Sequence, residues 1–258
     1  MSSIAALIIT QNEEENIREC LESINWCDEI VLVDSYSEDQ TVAISREYTE
    51  KIYLRKFDDF AAQRNYALEK VESDWVLVID ADERVSGELK IEIMNEIMDS
   101  EHVGYKIPFK NYFLGKWIKQ CGWYPDYHLR LFKTRKGIFK NKVHEKIKIN
   151  GKIKKASGAI EHYTYKSITS FINKTNYYTS LAAEDFYLQR EKFRKLDLMI
   201  NPLWRFISMF FLRNGFKEGI HGFILSLMYS YYVFIKYAKL WEIYVVDKGL
   251  MDGDNFGN

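Results

Sequence analysis

Four short stretches in the first hundred residues read as strands, several of them nearly continuous in apolar residues: Ile4–Thr10 (IAALIIT), Glu29–Asp34 (EIVLVD), Lys51–Arg55 and Trp75–Ile79 (WVLVI). Strands that alternate hydrophobic and polar residues have one wet face, whereas continuous runs of this length suit strands covered on both faces, as parallel strands are. Between them, Glu13–Ile24, Thr41–Tyr48, Phe60–Val71 and Ser86–Met98 carry apolar residues at helical spacing. The order βαβαβαβα predicts an α/β, doubly wound sheet with right-handed crossovers. Such sheets bind ligands beyond the carboxyl ends of their strands. The residues to inspect are therefore those that follow each strand: Thr10-Gln11-Asn12-Glu13, Asp34-Ser35 and Asp80-Ala81-Asp82-Glu83.

From about Val103 to Tyr165 the pattern becomes strand-like, basic and aromatic, densest in Asp126–Lys133 (DYHLRLFK) and Lys142–Ile149 (KVHEKIKI). Helical spacing dominates after Ser167, with Ser170–Arg190, Leu203–Leu212 and Gly219–Val246 as the helices. This divides the chain into residues 1–102, 103–166 and 167–258. The longest charge-free apolar run, Gly222–Ile235, has 14 residues, fewer than the ~20 that a membrane-spanning helix needs. Met1–Thr10 reads as a strand with no basic leader ahead of it, so a cytoplasmic protein without a signal peptide is expected.

Composition changes the picture in two places. The net charge of −1 conceals a segregation: residues 1–100 carry 9 basic against 24 acidic side chains, and residues 101–160 carry 15 against 3. A basic middle segment calls for an anionic partner: phosphorylated saccharide, nucleotide, nucleic acid or anionic membrane. The three cysteines, Cys20, Cys27 and Cys121, form no CxxC pair. A disulfide framework or zinc ribbon is therefore not expected.

No GxG and no GxxxxGK[ST] occurs in the chain, which removes the glycine-rich nucleotide sites. A bound nucleotide would have to be held by side chains and a metal. Asp80 and Asp82, two carboxylates at i and i+2 where the chain leaves a buried strand, suit a hard divalent cation that keeps waters and bridges a diphosphate. The same residues also suit a solvated acidic turn before the next helix. Asp34 and Thr10 end two further strands; an Asx turn into Ser35-Tyr36-Ser37 is the structural alternative for Asp34. Arg64, on the helix AAQRNYAL, suits a phosphate or a carboxylate partner.

These motifs together, TQNEEENI after the first strand, VLVDSYSEDQT, AAQRNYAL and VLVIDADE, resemble the inverting nucleotide-sugar glycosyltransferases of family 2, with the GT-A fold. The later text, YPDYHLRLFK, KVHEKI and IEHYTYKS, is more narrowly similar to the bacterial lipopolysaccharide-core β-1,4-glucosyltransferase group. The likeness covers roughly residues 1–190. It implies a mostly parallel GT-A sheet for a nucleotide-sugar half (1–102), a basic β-rich acceptor and catalytic segment (103–166) and a C-terminal helical subdomain (167–258). It implies transfer of a hexose, glucose first, from a UDP-sugar to a lipopolysaccharide-core or lipid-linked saccharide. Thr10 and Glu13 would line the nucleotide crevice, Asp34 would meet uracil and ribose, Arg64 the nucleotide part, Asp80 the ribose or a metal water, and Asp82 would ligate Mg2+ or Mn2+.

Inverting transfer also needs a carboxylate to take the proton of the acceptor hydroxyl. Residues 101–160 offer Glu101, Asp126 and Glu145. Glu145 in Val143-His144-Glu145 ranks first, Asp126 second, and Glu101, in a polar turn after a helix, last. His144 and His162 suit either the diphosphate and metal or a structural hydrogen bond, and no HExxH is present. Trp117, Trp123 and Tyr124 suit sugar stacking or, more in keeping with their density, a core. Aromatic residues beside Arg205, Arg213, Lys217, Lys236 and Lys239 predict helices over Leu203–Val246 that contact a membrane peripherally, on the inner face of the cytoplasmic membrane, or form a homodimer interface. The rival readings are a sugar-phosphate nucleotidyltransferase, whose glycine- and arginine-rich loop is not here, and a non-catalytic module for saccharide or nucleic acid; nucleic acid is not expected, since no RNP, helix-turn-helix or finger signature occurs.

Overall fold

The structure is a computed structural model that describes residues 2–98, 101–140, 146–190 and 193–251. The elements in chain order are β1 (Ile4–Thr10), α1 (Ile17–Ile24), β2 (Glu29–Asp34), α2 (Thr41–Ser45), β3 (Ile52–Leu54), α3 (Phe60–Leu68), β4 (Trp75–Val78), β5 (Glu83–Val85) and α4 (Gly87–Glu96). They continue with β6 (Gly104–Phe113), β7 (Lys116–Trp117), β8 (Asp126–Lys133), β9 (Gly137–Lys140), β10 (Lys146–Ile149), β11 (Ile153–Lys155), β12 (Ile160–Tyr165), α5 (Ile168–Leu188), α6 (Asp197–Ile207) and α7 (Ile220–Met251). Two compact units emerge, one made of Met1–Asn111 with Pro125–Tyr163, the other of Tyr112–Tyr124 with Thr164–Asn258.

In the first unit β3, β2, β1 and β4 are parallel neighbours, and β8 joins β4 in the antiparallel sense. The order continues through β6 and β12 to β5. Why the first strands are continuous in apolar residues is visible in where alternate side chains go. Ile4, Ala6 and Ile8 of β1, with Ile30, Leu32 and Leu77, pack beneath Ile17, Leu21 and Ile24 of α1 and Leu89 and Ile93 of α4. Leu7, Val31, Val33, Val76 and Val78 point the other way, onto Ala61 and Ala67 of α3 and onto Phe132 and Phe139. Each strand feeds two cores, so neither set of positions can be polar.

Caps set several helix starts: the Asp59 side chain accepts from Ala62 N before α3, and Ser86 accepts from Leu89 N before α4. Helix α1 begins four residues later than its apolar spacing predicts. The backbone N–H groups of Asn12, Glu13 and Glu14 are instead taken by Ser37 Oγ, Thr41 Oγ1 and Asp39 Oδ2, at 2.8, 2.7 and 3.1 Å. Strand β5 has no counterpart in the sequence reading; its partner, β12, lies some 75 positions downstream (Ile160 opposite Val85), and three residues carry too little pattern to announce so distant a pairing. Asp126–Lys133 forms as expected. Of Lys142–Ile149, Lys146–Ile149 is strand, while His144 and Glu145 lie outside the described residues.

The second unit is helical. Its core joins Phe113, Ile118 and Cys121 to Phe171 of α5, Met209 and Leu225 of α7. Helix α6 carries Pro202 and runs into a π-turn at Ser208–Leu212, so the predicted Leu203–Leu212 helix is the second half of a longer, bent one. Gly222 is required, because a Cβ there would collide with the Gly215 carbonyl. The buried Glu218 carboxylate draws this turn together: it pairs with Lys116 Nζ at 2.8 Å and accepts from Lys119 N and Gln120 N at 2.9 and 3.0 Å.

Candidate functional site

At the carboxyl edge of the parallel strands, Thr10 Oγ1 donates to Asp34 Oδ2 at 2.9 Å, and Ser37 donates its N–H to Oδ1 at 2.7 Å and its hydroxyl to Oδ2 at 2.5 Å. Asp34 is fully buried. The structure thus brings Thr10 and Asp34 to neighbouring strand ends, as expected, and spends the Asp34 carboxylate on the Asx-type turn that holds the two ends together. Glu13 stands beside them, accepting from the Asn16 side-chain amide at 2.7 Å.

The DAD turn after β4 is built differently for its two carboxylates. Asp80 receives Arg64 Nη2 at 2.6 Å on one oxygen and Arg130 Nη2 at 2.9 Å on the other. Burial pushes its pKa up, but the two guanidiniums prevail and hold it far below the usual carboxylate range. Arg130 also reaches Glu83 Oε1 at 2.6 Å, and the other Glu83 oxygen accepts from Asp80 N at 2.9 Å. Glu83 is itself fully buried beside the Asp80 anion, and burial raises its pKa. Arg84 ties the turn down by donating to the carbonyls of Ala81, Glu83 and Asn16 at 2.8, 2.8 and 2.9 Å.

Asp82 faces a histidine. His162 Nε2 of β12 lies 3.5 Å from Asp82 Oδ2, and His162 Nδ1 lies 2.8 Å from Asn111 Oδ1 of β6. With Asn111 as acceptor, Nδ1 carries a proton and Nε2 is the nitrogen turned toward Asp82. Burial pulls the His162 pKa down, yet the Asp82 hydrogen bond and the surrounding carboxylates outweigh it and the net direction is up. A hydrogen-bonded second nitrogen is the usual support for an imidazole ligand. Asp82 and His162 are the side chains that would hold a divalent cation here, one through a carboxylate oxygen and the other through Nε2. Asp80 already receives a guanidinium on each oxygen, Arg64 on one and Arg130 on the other, whereas Asp82 faces His162. Among the described residues no group of three or more His, Cys, Asp or Glu is arranged as a metal cage.

Asp126, His128 and Arg130 alternate along β8 and so share one face of it. His128 Nε2 is 2.9 Å from Asp126 Oδ2, and this hydrogen bond, against burial, lowers the Asp126 pKa. The Phe109 ring of β6 lies among them, 4.7 Å from the His128 ring, 5.6 Å from that of His162 and 5.1 Å from the Arg130 guanidinium. Strand β8 runs antiparallel to β4 with Leu131 opposite Leu77, and the charge of His162, which faces Asp82, also helps to lower the Asp126 pKa. Glu101, by contrast, is exposed and ion-paired to Lys152. Trp117, Trp123 and Tyr124 belong to the second unit, where Trp117 meets Tyr124 and Trp123 meets Phe113 and Tyr229 edge-on.

Sequence reasoning passed over Arg130, Asn111 and Phe109, and took Glu83 only as the last residue of a turn to inspect. The period-two spacing of Asp126, His128 and Arg130 was a readable signal for the first; Asn111 and Phe109 join the site only through strand pairing. What the arrangement defines is an α/β enzyme whose acid-rich ligand crevice lies at the ends of parallel strands. Residues 5–156 match Glycosyl transferase family 2, and the chain belongs to that family. It is 31% identical to an uncharacterized glycosyltransferase of Rickettsia typhi, over the whole of this chain and 93% of the relative. It is 30% identical to the lipopolysaccharide core biosynthesis glycosyltransferase LpsC of Rhizobium meliloti, over 93% of this chain and 92% of LpsC. Among solved structures, the mannosyltransferase PcManGT of Pyrobaculum calidifontis, in complex with GDP-Man and Mn2+, shares the fold at 14% identity and a TM-score of 0.54, over 93% of this chain and 87% of that one. The fold is of the GT-A type.

Proposed function

We propose that this glycosyltransferase moves a hexose, glucose first among them, with inversion from a UDP-sugar to a lipopolysaccharide-core or lipid-linked saccharide, using Mg2+ or Mn2+. The observation that carries the reading is the convergence of Asp82 and His162 at the strand ends, with the Phe109 ring packed against both His162 and the His128 of the Asp126–His128 pair. The acceptor class follows from the similarity to LpsC and from the basic segment of residues 101–160, which suits a phosphorylated saccharide.

Thr10, Glu13 and the Asp34 turn shape the nucleotide crevice, with Asp34 bracing it from within. Arg64 and Arg130 keep Asp80 ionised and fix the turn that presents Asp82. The cation, when held by Asp82 and His162, supplies charge neutralisation on the departing diphosphate. A carboxylate accepts the proton of the acceptor hydroxyl as its oxygen bonds to the anomeric carbon from the face opposite the leaving group. Among the described carboxylates Asp126 supports this reading, since its hydrogen bond to His128 holds its pKa below the ordinary value. Glu145 is the other candidate, and the two are separated by substitution.

The test is a screen of nucleotide sugars for release of nucleoside diphosphate, with and without Mg2+ or Mn2+ and with and without a bacterial saccharide extract. UDP-glucose turnover that needs both metal and extract supports the proposal. Turnover of another nucleotide sugar only, or turnover indifferent to metal, overturns the corresponding part.

A further inference from the structure

The helical unit leaves an unusual amount of hydrocarbon in water. Along α6 and the turn that follows it, Leu196, Met199, Ile200, Leu203, Trp204, Phe211 and Leu212 are between 55% and 74% exposed. Their spacing of three or four residues makes them one stripe. Phe216, Ile220 and Phe223 extend it, at 48%, 64% and 42%. The stripe is continuous across the turn: the Phe223 ring lies 5.9 Å from Phe206 and 5.8 Å from Phe210, and Phe211 lies 5.1 Å from Phe210. Exposed apolar patches of this extent mark interaction surfaces.

Charge selects the partner. Arg194, Lys195, Arg213 and Lys217 are exposed along the same segment. Its acids are engaged within the unit: Asp197 accepts from Arg194 N and the Asn201 side-chain amide at 3.1 and 3.3 Å, and Glu218 is buried on Lys116. A second copy apposed through this face would set cation against cation with no exposed acid among these described residues to answer them. An anionic bilayer answers both the hydrocarbon and the charge. Among the described residues no helix is long and apolar enough to cross a membrane, which suits a helix lying in the interface.

The geometry points to α6 and the turn leading into α7, residues 194–223, as an in-plane docking edge for an anionic lipid surface. This narrows and moves the surface expected from sequence, Leu203–Val246. Two of its cations are occupied inside the unit: Lys239 donates to Asn176 and Ser180, and Lys236 sits 4.0 Å from the Phe186 ring centroid. Arg194, Lys195 and the start of the stripe, Leu196, Met199 and Ile200, precede the expected range and take their place.

Co-sedimentation with vesicles of phosphatidylglycerol and phosphatidylcholine, against phosphatidylcholine alone, tests the inference on the full chain. Wild type should prefer the anionic vesicles. Each cation near such a surface is worth about fivefold in partitioning, so Lys195→Glu with Lys217→Glu should weaken binding at least about tenfold and remove most of its salt dependence. Phe211→Ser with Phe216→Ser should weaken it at all salt concentrations. Brominated lipid should quench Trp204 fluorescence, and the quench should vanish in Trp204→Phe, a readout that a misfolded double variant cannot imitate. Wild type that ignores anionic vesicles, variants that bind like wild type, or a wild-type dimer dissociated by these substitutions would overturn it. UDP-glucose turnover with Mn2+ and the saccharide extract, measured without added vesicles, is unchanged in all these variants on this account; vesicle binding without any such turnover would sink the catalytic proposal and leave the docking edge standing.

Discussion

The two units of this chain depart from the usual polar-out, apolar-in arrangement in opposite ways. In the strand-end crevice Asp34, Glu83, Arg64 and Arg84 are at most 7% exposed, each matched to a partner. In the α6 segment it is Met199, Leu203, Trp204 and Leu212 that stand 74%, 60%, 59% and 63% exposed. Burying a charge costs free energy unless it is paired and hydrogen-bonded, and leaving hydrocarbon in water forgoes about 25 cal/mol for each Å2. Neither unit is therefore arranged for stability alone. The first keeps costly polar groups inside, where they hold the turn that carries Asp82, and the second keeps apolar groups outside, on the face proposed above to meet a lipid surface.

The comparison breaks most sharply at the carboxylates that should touch substrate. Whichever of Asp126 and Glu145 is the base, its amide variant should lose at least about 100-fold in kcat while donor affinity is retained, the lower end of what general-base catalysis contributes. Single-turnover assays of Asp126→Asn and Glu145→Gln with calorimetric donor binding decide between them. If both variants stay active, a carboxylate elsewhere does this work.

Next in size is the buried ion network. Arg130→Met strands Asp80 and Glu83 opposite a single remaining guanidinium, Arg64, and should cost roughly 3–5 kcal/mol in urea unfolding. Adding Asp80→Asn should recover part of that loss, since the two sites share a contact and are not additive. Strict additivity would mean that Arg130 acts through packing on Phe109 and not through charge.

In the helical unit, Phe113→Ala should cost about 3–5 kcal/mol because it opens a cavity in a closed core. Phe216→Ser, at an exposed ring of the same residue type, should stay within about 0.5 kcal/mol. Similar losses at both would remove the case for an unpartnered face. A smaller effect is set by pH. Burial raises the Glu218 pKa, but Lys116 and the N–H groups of Lys119 and Gln120 outweigh it and hold the group below its ordinary 4.5. A carboxylate depressed on folding stabilises above its unfolded pKa, and that contribution disappears as pH falls through the folded value. Glu218→Gln should therefore lose roughly 1–3 kcal/mol at neutral pH and show a flatter stability curve below pH 4.5 than wild type, followed by thermal unfolding.

How much of this was legible beforehand depends on how far apart the contributing residues are in sequence. Strands β1 and β2, which the apolar runs place to the residue, and Asp126–Lys133 carry their own pattern, and the residues closing β1, β2 and β4 were readable as a site from the α/β rule alone. What was not readable arises from antiparallel pairings that nothing local announces. Strand β12 carries His162 to Asp82, and β8 carries Arg130 to Asp80. The sequence reading already set Asp82 apart as the direct ligand by resemblance; the structure adds that two arginines approach Asp80 while a histidine faces Asp82. Arg64 was read as suiting a phosphate or a carboxylate, and the structure gives it the carboxylate of Asp80.

The account rests most heavily on Asp82 and His162 acting together toward a divalent cation, and calorimetric titration of UDP into the full chain with and without Mn2+ addresses that directly. Wild type should bind UDP more tightly with the metal, and both Asp82→Ala and His162→Ala should lose that gain while keeping the metal-free affinity. Equal UDP affinity with and without metal in wild type, left unmoved by Asp82→Ala, would contradict it.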